Sequence, residues 1–91
     1  MAEQIKVKSI QIAAAGTPTQ IDSSYQFTRM LTIRNPNANT GLVYFGNSDL
    51  AANLRSTIEK GGDFTLLGVD PSKIYVDVAT NNDRVEVVFY I

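Results

Sequence analysis

Lys73-Ile74-Tyr75-Val76-Asp77-Val78 and, after Ala79-Thr80-Asn81-Asn82-Asp83, Arg84-Val85-Glu86-Val87-Val88-Phe89-Tyr90-Ile91 are the stretches whose pattern decides the fold. In the first, Ile74, Val76 and Val78 alternate with Tyr75 and Asp77. A period of two puts the apolar set on one side of a strand and the polar set on the other. In the second, Val85, Val87, Phe89 and Ile91 make one apolar face. Thr80-Asn81-Asn82-Asp83 between them is rich in residues that tolerate tight turns, and it reads as a hairpin loop.

The same grammar extends back along the chain. Lys60-Gly61-Gly62-Asp63 separates two extended runs, residues 56–59 and 64–67, and the double glycine predicts a second hairpin. Pro71 punctuates a turn over residues 68–72. Leu42-Val43-Tyr44-Phe45 is apolar on both sides, as expected of a central strand. Residues 27–35 offer Phe27, Leu31 and Ile33 on one face and end in the turn-rich Asn35-Pro36-Asn37-Ala38-Asn39-Thr40-Gly41. Residues 48–53 suit one helical turn with Ser48 as its N-cap.

Nearer the N-terminus, residues 4–14 form a strand in which Ile5 and Val7 share one face, while Ile10 and Ile12 take the other. That change of phase near Ser9 predicts a β-bulge or a passage between sheets. Gly16-Thr17-Pro18-Thr19 breaks it, and a short strand follows at residues 19–22. The fold expected is all-β: an antiparallel β-sandwich or jelly-roll of about seven or eight short strands with at most one short helical turn. Residues 1–91 make a single β-sandwich domain, with no repeat, linker or low-complexity tract.

Composition narrows the function. Ninety-one residues and 10.0 kDa bury a modest core, with roughly 5,200 Å² exposed when folded against roughly 14,500 Å² extended. Eight basic against nine acidic residues give a net charge of −1, without the basic cluster that nucleic acid or an anionic membrane would require. The chain has no Cys and no His, so the usual thiolate nucleophile, general base and zinc ligands are missing. No apolar run is long enough to span a membrane, and Met1-Ala2-Glu3-Gln4-Ile5-Lys6 lacks the order of a signal peptide. The expectation is a non-catalytic domain that is not secreted and needs neither cofactor nor metal.

Few groups remain that could carry chemistry. Asp70, Asp77, Asp83 and Glu86 are the candidate carboxylates, but they fall in turns or at outward strand positions where solvated charge is the simpler reading. No closely spaced ligand run of a calcium loop occurs; Asn81, Asn82, Asp83 and Glu86 are at most weak calcium ligands, against the simpler reading as a plain hairpin loop. Tyr25, Tyr44, Tyr75 and Tyr90 would suit stacking on sugar rings, the basis of an alternative reading as a small carbohydrate-binding module.

Two features point to assembly instead. The outer face of the last strand begins with Arg84 and Glu86 and ends with Val88 and Tyr90, so the terminal four residues are apolar on both sides. A chain end of that kind is covered, by the chain itself or by another subunit. Lys6 and Lys8, flanking Val7, look like the charged guard of an exposed sheet edge.

From Arg29 onward the order of elements resembles that of small tailed-phage virion proteins of the capsid decoration or cement type. Three segments carry the likeness: Leu31-Thr32-Ile33-Arg34-Asn35 through Val43-Tyr44-Phe45-Gly46-Asn47-Ser48-Asp49; Ile58-Glu59-Lys60-Gly61-Gly62-Asp63-Phe64-Thr65-Leu66; and Asp70-Pro71-Ser72-Lys73-Ile74-Tyr75-Val76 with the strand from Val85 to Tyr90. The resemblance implies a structural role without catalytic residues, in a virion assembled in the host cytoplasm. The subunit would bridge capsid subunits and stabilise the head; a head–tail or fibre accessory is the alternative. The partners expected are the major capsid protein or another virion protein and further copies of the chain, as a homotrimer, with no nucleic acid and no membrane. Val88, Tyr90, Ile91, Tyr75 and Met30 are the self-association candidates. Ile5, Val7, Ile10 and Ile12 are the candidates for gripping the capsid, as an extended arm able to add a strand to a partner sheet.

Overall fold

Strand length sorts this chain into two sheets. The structure, a computed structural model, describes residues 5–23, 28–48, 50 and 55–90. Its strands are β1 (Ile5–Gln11), β2 (Thr19–Gln20), β3 (Thr28–Arg34), β4 (Val43–Gly46), β5 (Ser56–Ile58), β6 (Asp63–Val69), β7 (Tyr75–Val78) and β8 (Arg84–Tyr90), and among the described residues there is one 3₁₀ turn, at Pro71–Lys73. The four seven-residue strands form one antiparallel sheet in the order β1-β8-β3-β6, and the short ones form the other, β2-β7-β4-β5. Matched lengths leave few unpaired backbone groups at the strand ends, which favours this sorting.

Four of the pairs, β1 with β8, β2 with β7, β3 with β6 and β4 with β5, match the first strand with the last and so on inward. That is one long antiparallel hairpin rolled up, so that β3 also meets β8 and β4 meets β7. The result is a jelly roll, the two-sheet solution to burying two amphipathic faces at once.

Rolling a hairpin sends most connections from one sheet to the other. The two hairpins expected from turn chemistry are therefore corners. The chain leaves β5 in one sheet, turns at Gly61-Gly62, and enters β6 in the other; likewise the Asn81-Asn82 turn carries β7 to β8 across the sandwich. Gly61 has φ +83°, and its N–H donates 2.8 Å to the Asn35 carbonyl while the Asn35 N–H donates 3.0 Å to that of Gly62. The corner is closed locally by the Gly62 N–H donating 2.8 Å to the Glu59 carbonyl, and the two bonds with Asn35 sew it to the end of β3.

Nor is there a bulge in β1. Its pairing with β8 runs without a break from Ile5 opposite Tyr90 to Gln11 opposite Arg84. The change of phase near Ser9 is chemical: Ile5 and Val7 lie on the outer side, and Lys6, Lys8, Ile10 and Ile12 on the inner. The segment is an integral strand, not a free arm. Ile12 is buried, and Ile10 packs against the core formed by Leu31, Ile33, Val43, Val76, Val78, Val85, Val87 and Phe89. The helical turn expected over residues 48–53 falls largely outside the described residues.

Asp77 and Asp83, expected as solvated charges, are buried. One Asp77 carboxylate oxygen accepts from Gly16 N at 3.1 Å and from Val78 N at 2.8 Å. Asp83 accepts from Thr40 N and Gly41 N at 2.9–3.0 Å. Both satisfy backbone donors through charge-assisted bonds, those of Gly16, Thr40 and Gly41 in loops and that of Val78 at the end of β7.

Candidate functional site

The outer face of the long sheet is built by register. Reading across β1, β8, β3 and β6, one row is Ile5, Tyr90, Met30, Leu67. The next is Val7, Val88, Thr32, Thr65, in which the Thr32 and Thr65 hydroxyls lie 3.0 Å apart. The third is polar and of mixed sign: Ser9, Glu86, Arg34, Asp63. Beyond it Arg84 lies opposite Gln11 and donates through Nη1 to the Ser9 hydroxyl at 3.3 Å.

The first row is apolar across all four strands, and the second is apolar on β1 and β8 and carries threonines on β3 and β6. Ile5, Val7 and Leu67 are 58%, 72% and 74% exposed, and Tyr90, Val88 and Met30 between them are half-buried. On β8 the alternate residues Val85, Val87 and Phe89 are wholly buried, while the outward set is charged at Arg84 and Glu86 and apolar only at Val88 and Tyr90. Contiguous exposure of this kind marks a contact surface more often than isolated surface leucines do.

This face gathers residues expected on two different surfaces. Val88, Tyr90 and Met30 lie together on it, and Ile5 and Val7, expected as capsid contacts, stand beside them. Tyr75 does not join them: it lies in the other sheet, paired with Gln20 and Gly46. Ile10 and Ile12 are turned to the core, which withdraws their side chains from any outside contact, and Ile91 lies outside the described residues. Sequence reading missed Leu67. Its signal was present in Phe64-Thr65-Leu66-Leu67, a run apolar on both faces, of which Leu66 meets the core and Leu67 does not.

No protein-family model matches this chain, and no curated protein does.

Tyr75 lines an open cleft of about 770 Å³ on the short sheet, together with Gln20, Asn47, Ser48, Ser72 and Lys73. The Gln20 side-chain amide donates 2.8 Å to the Ser72 carbonyl, and Ser72 Oγ donates 2.8 Å to Asp70. Tyr44 lies outside this cleft, with the Arg55 guanidinium stacked 3.9 Å from its ring centre. Tyr25 lies outside the described residues.

The carboxylates do not converge. Asp70 caps the 3₁₀ turn through Ser72 N, Asp77 and Asp83 are committed to backbone donors, and Glu86 stands on the outer face. Asn81 Oδ1 accepts from Ala15 N at 2.8 Å. With Asp83 occupied as well, two of the four hairpin residues considered for calcium, Asn81 and Asp83, are engaged by backbone donors of the protein itself. Among the described residues no three acidic side chains gather as a metal site would require.

Proposed function

We propose that this chain is a structural subunit of a virion, a capsid decoration or cement protein that docks on the assembled shell through the outer face of its β1-β8-β3-β6 sheet. The observation that carries the reading is the apolar patch made by Ile5, Tyr90, Met30 and Leu67 across all four strands and by Val7 and Val88 on β1 and β8. Covering such side chains removes apolar area from water at about 25 cal/mol per Å². A ligand that binds only the assembled shell stabilises it by mass action. The resemblance of residues 29–91 to small tailed-phage virion proteins supports the same role, and the jelly roll agrees with it without proving it, since one fold hosts many functions.

The test is made on particles. Density-gradient-purified virions of the virus whose genome carries the sequence should contain the 10.0 kDa chain, and a Val7→Lys/Val88→Lys variant should fold and be lost from them. Absence of the wild-type chain from purified particles would sink the reading. The cleft at Tyr75 favours a second one, carbohydrate binding, in which an aromatic ring and convergent amide and hydroxyl groups hold a sugar. It predicts a glycan-dependent change in tyrosine fluorescence that Tyr75→Ala abolishes and Val88→Lys leaves intact.

A further inference from the structure

Two four-stranded sheets leave four edges, and three of them are protected. β2 and β5 have two and three residues, too short to template a partner strand. β1 is long, but Lys6 and Lys8 point inward from it. Lys6 Nζ lies 6.0 Å from the Phe89 ring centre, and Lys8 Nζ donates 2.7 Å to the Ile21 carbonyl and stands 3.9 Å from the Asp22 carboxylate. A strand added beside β1 would have to bury or displace both charges.

β6 has none of these defences. It is seven residues long, contains no proline and no lysine, and carries its single charge, Asp63, at one end. Its neighbour on one side is β3; on the other, no strand among the described residues pairs with it. Phe64 and Leu67 are 47% and 74% exposed on its two faces. Phe64 has one ring face stacked on Phe45 at 5.0 Å between centroids.

We propose that β6 is the seam of a two-fold dimer, in which it pairs antiparallel with β6 of a second copy of this chain. Only antiparallel pairing lets one strand meet itself about a two-fold axis. Placing the axis at Leu66 sets Thr65 opposite Leu67 of the second copy and Asp63 opposite Val69, so the two carboxylates lie at opposite ends of the seam. Gly68, with φ +61°, interrupts the regular ladder near each end, and the seam is centred on residues 65–67. The sheets then join into one of eight strands, and the apolar rows of the two outer faces become continuous. A head-to-tail contact of β6 on β1 would meet the lysine guard and would leave further edges open to continue as a filament. The homotrimer expected from the sequence needs a head-to-tail contact between two different surfaces, which an edge paired with itself does not supply; the unguarded edge favours two copies. A seven-residue seam is about 23 Å long, and such an interface falls below about 1,200 Å², so the dimer should dissociate on dilution through micromolar concentrations. The inference does not depend on the virion reading.

The cysteine-free chain makes the test direct. Sedimentation velocity from about 1 µM to about 1 mM, the range set by so small an interface, should show a reversible passage from 10.0 kDa to twice that mass. Leu66→Cys should form an intermolecular disulfide at least about tenfold faster than Ser9→Cys on the guarded edge, because paired strands hold opposed residues within disulfide reach. A monomer throughout, or a trimer, overturns the proposal. So does a dimer in which Ser9→Cys cross-links as fast as Leu66→Cys.

Discussion

Asn35 shows how one side chain can hold three loops. Both of its amide protons are used, one on the Gly41 carbonyl and one on that of Ile58, each at 2.9 Å. Its Oδ1 accepts from Asn39 at 2.7 Å, and Asn39 in turn exchanges bonds with the backbone of Arg84 at 2.6 and 2.8 Å. Asn35 and Asn39 are buried, so water cannot replace these partners. From sequence both asparagines read as turn formers, which is correct for their backbone and silent about their side chains. Turn propensity is local, whereas these partners lie up to 45 residues away. Removing the amide strands two carbonyls in the interior, at about 1–3 kcal/mol per unsatisfied group. Asn35→Ala should therefore lower the urea unfolding free energy by about 3 kcal/mol, and Asn35→Asp, which sets a carboxylate against two carbonyls, should lower it further. A loss below about 1 kcal/mol for the alanine variant would show that the network contributes little beyond a typical surface site.

At the scale of elements, the strands were legible and their partners were not. Alternation placed Leu31, Ile33, Val76, Val78, Val85 and Val87 on inner faces, because a half-buried strand must repeat every second residue. Gly61-Gly62 and Asn81-Asn82 marked true reversals of direction. A reversal does not say whether the next strand lies beside the last or across the core from it. That choice follows from non-local pairing, where seven-residue β6 matches β3 and three-residue β5 cannot hold it. The lysines of β1 were legible as an edge guard, and the structure adds that they point inward. Their protective role yields a prediction. A Lys6→Thr/Lys8→Thr variant should keep its circular dichroism spectrum and melting cooperativity at micromolar concentration, yet associate progressively as concentration rises, because a second long edge is then unguarded. Static light scattering against concentration reads this. A scattering profile identical to wild type would mean that the edge is closed by its twist and not by its charges.

For the whole molecule, the rolled hairpin makes the two ends of the chain depend on each other. β1 is the outermost leg of that hairpin and contacts β8 along its entire length, so neither end is peripheral. This reverses the expectation for the N-terminal segment, which has the composition of an adaptable arm because its apolar residues fall on both faces. Two of them, Ile5 and Val7, extend the outer apolar rows; two others, Ile10 and Ile12, complete the core from its edge. Deleting residues 1–12 would remove Ile12, 4% exposed, and would turn β8, with Val85, Val87 and Phe89 buried along it, into an unprotected edge. A buried isoleucine contributes about 2–5 kcal/mol by truncation data, and small domains hold only about 5–15 kcal/mol in total. With the backbone pairing of seven residues lost as well, the truncated chain should show no cooperative thermal transition by circular dichroism. Under the proposed virion role it should also be lost from particles, since it would no longer present a folded face. If it instead melts cooperatively within about 2 kcal/mol of the full chain, a margin that typical surface changes reach, then β1 is an appendage, and the arm expected from sequence becomes the better account of how this chain holds its partner.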